Sequence, residues 1–130
     1  NPNVMSMADE ELAGVRGVHL VEPVSYGDLL KLMGRCHLIL TDSGGVQEEA
    51  PSFHKPVLVL RRVTERPEVV EAGAGRIVGT DSARIAEAAA SLLGDPREYR
   101  KMSEAENPFG DGLAAQRIVD VLAQRFGSRL

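Results

Sequence analysis

The sequence has one cysteine, no tryptophan, two tyrosines and three phenylalanines in 130 residues. A lone Cys36 closes no intrachain disulfide, so a disulfide-stapled scaffold is excluded and a reducing, cytoplasmic setting is the default. Positive charge is not in surplus either: 15 Lys plus Arg stand against 19 Asp plus Glu, a net charge of −4. Phosphate-backbone binding draws on clustered excess cation, so a general nucleic-acid binder is disfavoured. No apolar run approaches the roughly 18 residues of a membrane span; the longest, such as Val57 to Leu60, are strand-sized. His19, His37 and His54 lie far apart with no Cys or His partner at metal spacing, so no metal site is expected. The opening Asn1-Pro2-Asn3 carries neither an initiator Met nor a signal-peptide pattern, as expected of a piece of a longer protein.

What is present is enough apolar material, 43% of residues, for one ordinary domain. Short continuous apolar runs alternate with amphipathic runs along the whole chain, the pattern of an α/β fold. Candidate strands are Val18 to Val21, Leu38 to Thr41, Pro56 to Leu60 and Arg76 to Val78. Each is bounded by turn residues and lacks in–out alternation, which predicts a parallel sheet covered on both faces. Helical stripes are Tyr26, Leu29, Leu30 and Met33, and Ile85, Ala89, Leu92 and Leu93. Pro96 suits the first turn of a helix over Pro96 to Ser103. A last helix, Leu113 to Phe126, carries Ala114, Ile118, Val121, Leu122 and Phe126 on one face. Residues 82–130 therefore read as almost wholly helical, expected to pack on the sheet or on an adjoining domain.

The run Leu38 to Ala50 carries the chemistry. A buried strand ends at Thr41, and a helix starts near Gly44 with Ser43 as its cap. Ligands of parallel sheets bind at such carboxyl ends of strands. Gly44 and Gly45 clear side chains from the first helical turn, so an anion such as phosphate can approach the free N–H donors. Glu49, one turn on, is placed to accept hydrogen bonds from sugar hydroxyls. A tight capped turn with no ligand explains the same residues, and the turn alone leaves both readings open. The next strand is followed by Leu60-Arg61-Arg62-Val63-Thr64-Glu65-Arg66-Pro67-Glu68, whose loop falls on the same sheet edge. An arginine there can clamp a diphosphate bidentately. Pro67 suits the start of a short helix to Ala72, which would fix Arg66, whereas Arg61 and Arg62 read as a solvated salt-bridge face. Cys36 reads as a small buried filler. Glu48 and Glu49 point about 100° apart on a helix and form no facing carboxylate pair.

Five blocks together carry a resemblance: Thr41-Asp42-Ser43-Gly44-Gly45-Val46-Gln47-Glu48-Glu49-Ala50-Pro51, Lys55 to Arg61, Thr64-Glu65-Arg66-Pro67-Glu68, Gly79-Thr80-Asp81, and Asn107-Pro108-Phe109-Gly110-Asp111-Gly112. In order and spacing they resemble the non-hydrolysing UDP-N-acetylglucosamine 2-epimerases, a bacterial, cytosolic and usually homodimeric family. The resemblance implies a Rossmann-like parallel sheet with flanking helices, the carboxy-terminal part of a two-domain fold of the B-type glycosyltransferase kind. Residues 1–130 would be a partial carboxy-terminal nucleotide-binding domain ending in the helix at 113–126, with the amino-terminal domain absent from the chain. The implied reaction interconverts UDP-N-acetylglucosamine and UDP-N-acetylmannosamine for cell-surface polysaccharides. UDP is eliminated to leave a 2-acetamidoglucal and is then re-added with inversion at carbon 2; no metal or other cofactor takes part.

Carried over residue by residue, Ser43, Gly44 and Gly45 match the positions that hold the diphosphate, Glu49 the carboxylate on the ribose, and Arg66 the arginine at the nucleotide. Pro23 to Leu29 matches the segment flanking uracil, with Val24 and Leu29 where some members have glutamine and phenylalanine; aromatic stacking on the base is thereby lost. The carboxylates that move the carbon-2 proton have no matching positions here. If the strand order 3-2-1-4-5-6 applies, two strands between Val18 to Val21 and Leu38 to Thr41 are missing, so the sheet lacks its middle or pairs differently. The 130 residues are accordingly expected to be catalytically silent alone. Two other readings are a carboxy-terminal domain of a UDP-sugar glycosyltransferase, which the absence of the spaced glutamate pair of many retaining transferases disfavours, and a non-catalytic UDP-sugar-binding module.

Overall fold

The computed structural model describes residues 2–127, with side chains from residue 5 onward. Asn1 at the opening of the chain and the end of the expected helical stretch at 128–130 lie outside the described residues. The chain divides into two compact units, Asn1–Leu32 and Met33–Leu130.

In the first unit, helix α1 (Pro2–Leu12) is an element that the sequence reading did not name. Helix α2 (Tyr26–Arg35) starts where the Tyr26 stripe predicts. Ser25 caps it: its Oγ accepts the Asp28 N–H at 3.3 Å and donates to Asp28 Oδ2 at 2.7 Å. Val18 to Val21, expected as a strand, is irregular. Val18 N–H closes a turn on Val15 O at 3.1 Å, and Val21 is 64% exposed. A strand is defined by the ladder that satisfies its N–H and C=O groups, and among the described residues no strand pairs with this run. Apolar composition alone did not make it one.

The second unit is built on a three-stranded parallel sheet, β1 (Ile39–Thr41), β2 (Val57–Val59) and β3 (Gly75–Ile77), in the order β1-β2-β3. Ile39 pairs with Val57, and Val57 with Gly75. These are the strands expected at 38–41, 56–60 and 76–78, trimmed or shifted by a residue. Helices flank it: α3 (Gly44–Glu49), running on into a 3-10 turn (Ala50–Phe53), α4 (Pro67–Glu71), α5 (Ser82–Gly94), α6 (Pro96–Ser103) and α7 (Ala114–Phe126).

All of β2 is buried, which is why its sequence is continuously apolar. Because side chains alternate across a strand, Leu58 faces Val78, Ala88, Leu92 and Met102, the core made with α5 and α6. Val57 and Val59 face Ala50, Ile39 and Ile77 on the other side. Arg76, opposite Leu58 in register, meets Glu98 of α6 at 3.1 Å. Both faces of the sheet are thus occupied before the chain reaches α7. Of the stretch 82–130, expected to pack on the sheet or on an adjoining domain, α5 and α6 pack on the sheet; α7 buries none of its side chains, with Ile118, Val121, Leu122 and Phe126 between 49% and 59% exposed. No helix among the described residues is long and apolar enough to cross a membrane.

Candidate functional site

Parallel strands put their carboxyl ends at one edge, so the segments after Thr41, Val59 and Ile77 emerge side by side. The first is the Ser-Gly-Gly turn. Ser43 has extended backbone, φ −77° and ψ 125°, and its Oγ accepts the Val46 N–H at 3.5 Å as the helix cap. Its own N–H donates to Thr41 Oγ1 at 3.0 Å, and its carbonyl takes the Gln47 N–H at 3.2 Å, closing the first turn of α3. With Gly44 and Gly45 contributing no side chain, this turn is bare on its outer side.

The second segment delivers Arg66. A Cβ built on Gly44 would lie 3.9 Å from Arg66 Cζ and 4.0 Å from Nη2, so the guanidinium stands directly against the glycine turn. Three contacts hold it there. Arg66 Nε donates to Glu48 Oε1, Nη1 donates to the Glu65 carbonyl at 3.0 Å, and the backbone N–H donates to Thr64 Oγ1 at 3.0 Å. Pro67 then begins α4 as expected. The hydrogen bond that Arg66 donates to Glu48, and after it that carboxylate's charge, push the Arg66 guanidinium still further up from its ordinary value. A guanidinium is in any case charged throughout the pH range of ordinary proteins.

Glu49 turns the other way from Glu48, as neighbours on a helix must. Its Oε2 is buried and makes no hydrogen bond among the described residues. A buried carboxylate oxygen without a donor is costly, and a hydroxyl-bearing ligand would supply one. The third segment, Gly79-Thr80-Asp81, ends in a cap: Asp81 Oδ1 accepts the Arg84 N–H at 2.9 Å at the start of α5.

The structure thus brings Ser43, Gly44, Gly45 and Arg66 together and places Glu49 on the same short helix. Val24 and Leu29 belong to the first unit, where Val24 is exposed and Leu29 half-buried. Arg61 reaches Glu65 at 3.9 Å as part of an exposed face, as its sequence context predicts. Three residues of the site escaped sequence reasoning: Glu48, which pairs with Arg66; Gln47, a buried polar residue only 1% exposed; and Thr64, whose hydroxyl donates to Gln47 Oε1. Thr64 had a signal, since a threonine two residues before an arginine at a helix start is placed for a local side-chain turn. Cys36 donates to the Met33 carbonyl, and burial pushes its thiol up, which suits a filler and not a nucleophile. His37 stacks on Tyr99 with ring centroids 4.0 Å apart, and His54 lies 3.2 Å from the Ser103 carbonyl.

The family model for UDP-N-acetylglucosamine 2-epimerase matches residues 1–123. The UDP-N-acetylglucosamine 2-epimerase of Bacillus subtilis is 53% identical over 129 residues, covering 99% of this chain and 34% of its own length. That of Escherichia coli K12 is also 53% identical, over 122 residues, covering 94% and 32%. The crystal structure of UDP-GlcNAc 2-epimerase from Neisseria meningitidis, bound to UDP-GlcNAc, superposes with a TM-score of 0.88 at 48% identity, over 95% of this chain and 34% of the other. The chain spans about a third of the length of the relatives it matches. These matches support the epimerase reading and lend nothing to the glycosyltransferase one. With the family model matched over residues 1–123 and relatives 53% identical over nearly the whole chain, the chain belongs to the UDP-N-acetylglucosamine 2-epimerase family.

Proposed function

We propose that the chain supplies the UDP-holding part of an enzyme interconverting UDP-N-acetylglucosamine and UDP-N-acetylmannosamine. The observation that carries the reading is the Arg66 guanidinium set against the bare Ser43-Gly44-Gly45 turn. The start of a capped helix, bare of side chains at Gly44 and Gly45, and a permanently charged guanidinium stand side by side at one sheet edge. Ser43, Gly44 and Gly45 hold the diphosphate and Arg66 clamps it, while the unpartnered Oε2 of Glu49 accepts from ribose hydroxyls. The resemblance, rather than the geometry, assigns Val24 and Leu29 to the uracil.

In the reaction this implies, UDP leaves from carbon 1 and returns. Negative charge grows on the diphosphate as the bond breaks, so donors aimed there act where the transition state needs them. The carbon-2 proton is moved by carboxylates that have no counterpart among the residues matched here, so the chain by itself binds nucleotide and turns nothing over. We place the enzyme in the cytoplasm, as a homodimer feeding cell-surface polysaccharide synthesis, with residues 1–130 forming part of its carboxy-terminal nucleotide-binding domain and 113–126 the closing helix.

Calorimetric titration of the chain with UDP tests the binding half: saturable heat is expected, and none at millimolar UDP overturns the assignment. Incubation with UDP-N-acetylglucosamine tests the other half, with no epimer expected; measurable turnover would show that the chain holds its own acid and base.

A further inference from the structure

Arg66 is useful to a diphosphate only if its position is fixed before the ligand arrives. The loop after β2 offers little rigidity of its own. Arg66 stands at the start of α4 with φ −127° and ψ 64°, outside the regular regions, and no side chain caps that helix. Its ion pair with Glu48 is more than a third exposed on both sides, and such pairs are weak restraints.

A second restraint, part-buried and ending on the buried Gln47, runs through Thr64. A hydroxyl has one proton and two lone pairs. Here the proton goes to Gln47 Oε1, and a lone pair takes the Arg66 N–H at 3.0 Å. Gln47 is 1% exposed, so its amide oxygen meets no solvent that could replace Thr64. The backbone N–H of the same Gln47 closes the first turn of α3 on the Ser43 carbonyl. One buried residue is therefore bonded through its backbone to the glycine turn and through its side chain to the arginine loop. Resting on the nucleotide reading above, we propose that Thr64 is a positioning residue for this site: its hydroxyl, anchored on Gln47, holds the Arg66 backbone so that the guanidinium faces Gly44.

Thr64→Val keeps the shape and removes the hydroxyl; Thr64→Ser keeps the hydroxyl. Thr64→Val is expected to weaken UDP about fivefold to tenfold, the scale of one or two lost neutral hydrogen bonds, and Thr64→Ser to restore wild-type affinity. In an Arg66→Ala background Thr64→Val should change UDP affinity by less than about twofold, because a residue acting through Arg66 has nothing left to position. Without any nucleotide, the Arg66 amide should exchange with deuterium faster in Thr64→Val than in wild type or Thr64→Ser. If Thr64→Val does not fold, Thr64→Ala is measured in the same way. Unchanged Arg66 exchange, or losses that simply add to those of Arg66→Ala, overturn the role of Thr64 and leave the nucleotide site standing. A wild-type chain that binds no UDP overturns the nucleotide site itself, and the proposal with it.

Discussion

Arg66 and Gly44 face each other at contact distance: a Cβ on Gly44 would meet Arg66 Cζ at 3.9 Å and Nη2 at 4.0 Å. These are ordinary van der Waals separations, and Gly44 is helical without positive φ. Gly44→Ala therefore fits the empty protein, and replacing a glycine at the first helical position should stabilise by no more than the interior value of about 0.5–1 kcal/mol. The added methyl nevertheless stands beside the guanidinium on the side of the turn from which an anion reaching both would approach. The melting temperature should hold or rise while UDP affinity falls by about 1–3 kcal/mol, the scale of forcing a methyl into occupied space. Thermal melts beside calorimetric titration read both. Undiminished UDP binding would mean that the anion does not approach the turn at Gly44.

Arg66→Ala removes a charge whose partner, Glu48, is itself part-exposed, so folding should change by less than about 1 kcal/mol. Binding should change more. A charge-assisted contact to a diphosphate is worth about 1–3 kcal/mol, and the loss should shrink as salt is added. Titrations at two ionic strengths separate the outcomes, and equal affinity for wild type and variant would return Arg66 to the solvated surface.

Legibility in the sequence followed how local each cause is. The bounds of α6, Pro96–Ser103, and the Ser43 cap came through because proline geometry and capping chemistry act within a few residues. β2 was readable because burial on both faces leaves a run of Val-Leu-Val with no polar interruption. Val18 to Val21 has the same local character and forms no strand, since pairing is a property of two segments and the sequence displays one. At the candidate site, the closeness of the Ser43-Gly44-Gly45 turn and Arg66 was legible, because both follow strands whose carboxyl ends share one sheet edge. Gln47 was not, because a glutamine amid Val46 and Glu48 reads as surface, and its burial becomes visible only when Thr64 arrives from 17 residues away.

Leu58 is wholly buried and touches α5 and α6 through Ala88, Leu92 and Met102. The strand beneath it cannot collapse, because β2 is bonded on both sides. Leu58→Ala should accordingly cost about 2–5 kcal/mol, the range for truncating a buried leucine. Urea denaturation would measure it, and a cost below about 1 kcal/mol would show that the core between β2 and α5 is looser than these contacts require.

Asp111 joins the Asn107-Pro108-Phe109-Gly110-Asp111-Gly112 block to α7. Its two carboxylate oxygens accept Arg117 Nη1 at 2.7 Å and Nη2 at 2.6 Å, and Oδ1 also takes the Leu113 N–H at 3.0 Å. The Arg117 hydrogen bonds first, then that backbone bond, hold the Asp111 carboxyl below its ordinary value of 3.8. A carboxyl depressed on folding stabilises the fold above its unfolded value and loses that contribution as pH falls through the lower, folded one. The start of α7 should therefore be fully anchored at neutral pH and begin to loosen only as pH drops below about 4. Because both side chains are more than half exposed, salt should weaken the effect. Carboxyl-carbon NMR of Asp111 against pH would show a midpoint below that of a free aspartate, and Arg117→Ala should bring it back up toward the ordinary value. A midpoint unmoved by Arg117→Ala would assign the depression to the Leu113 backbone bond instead.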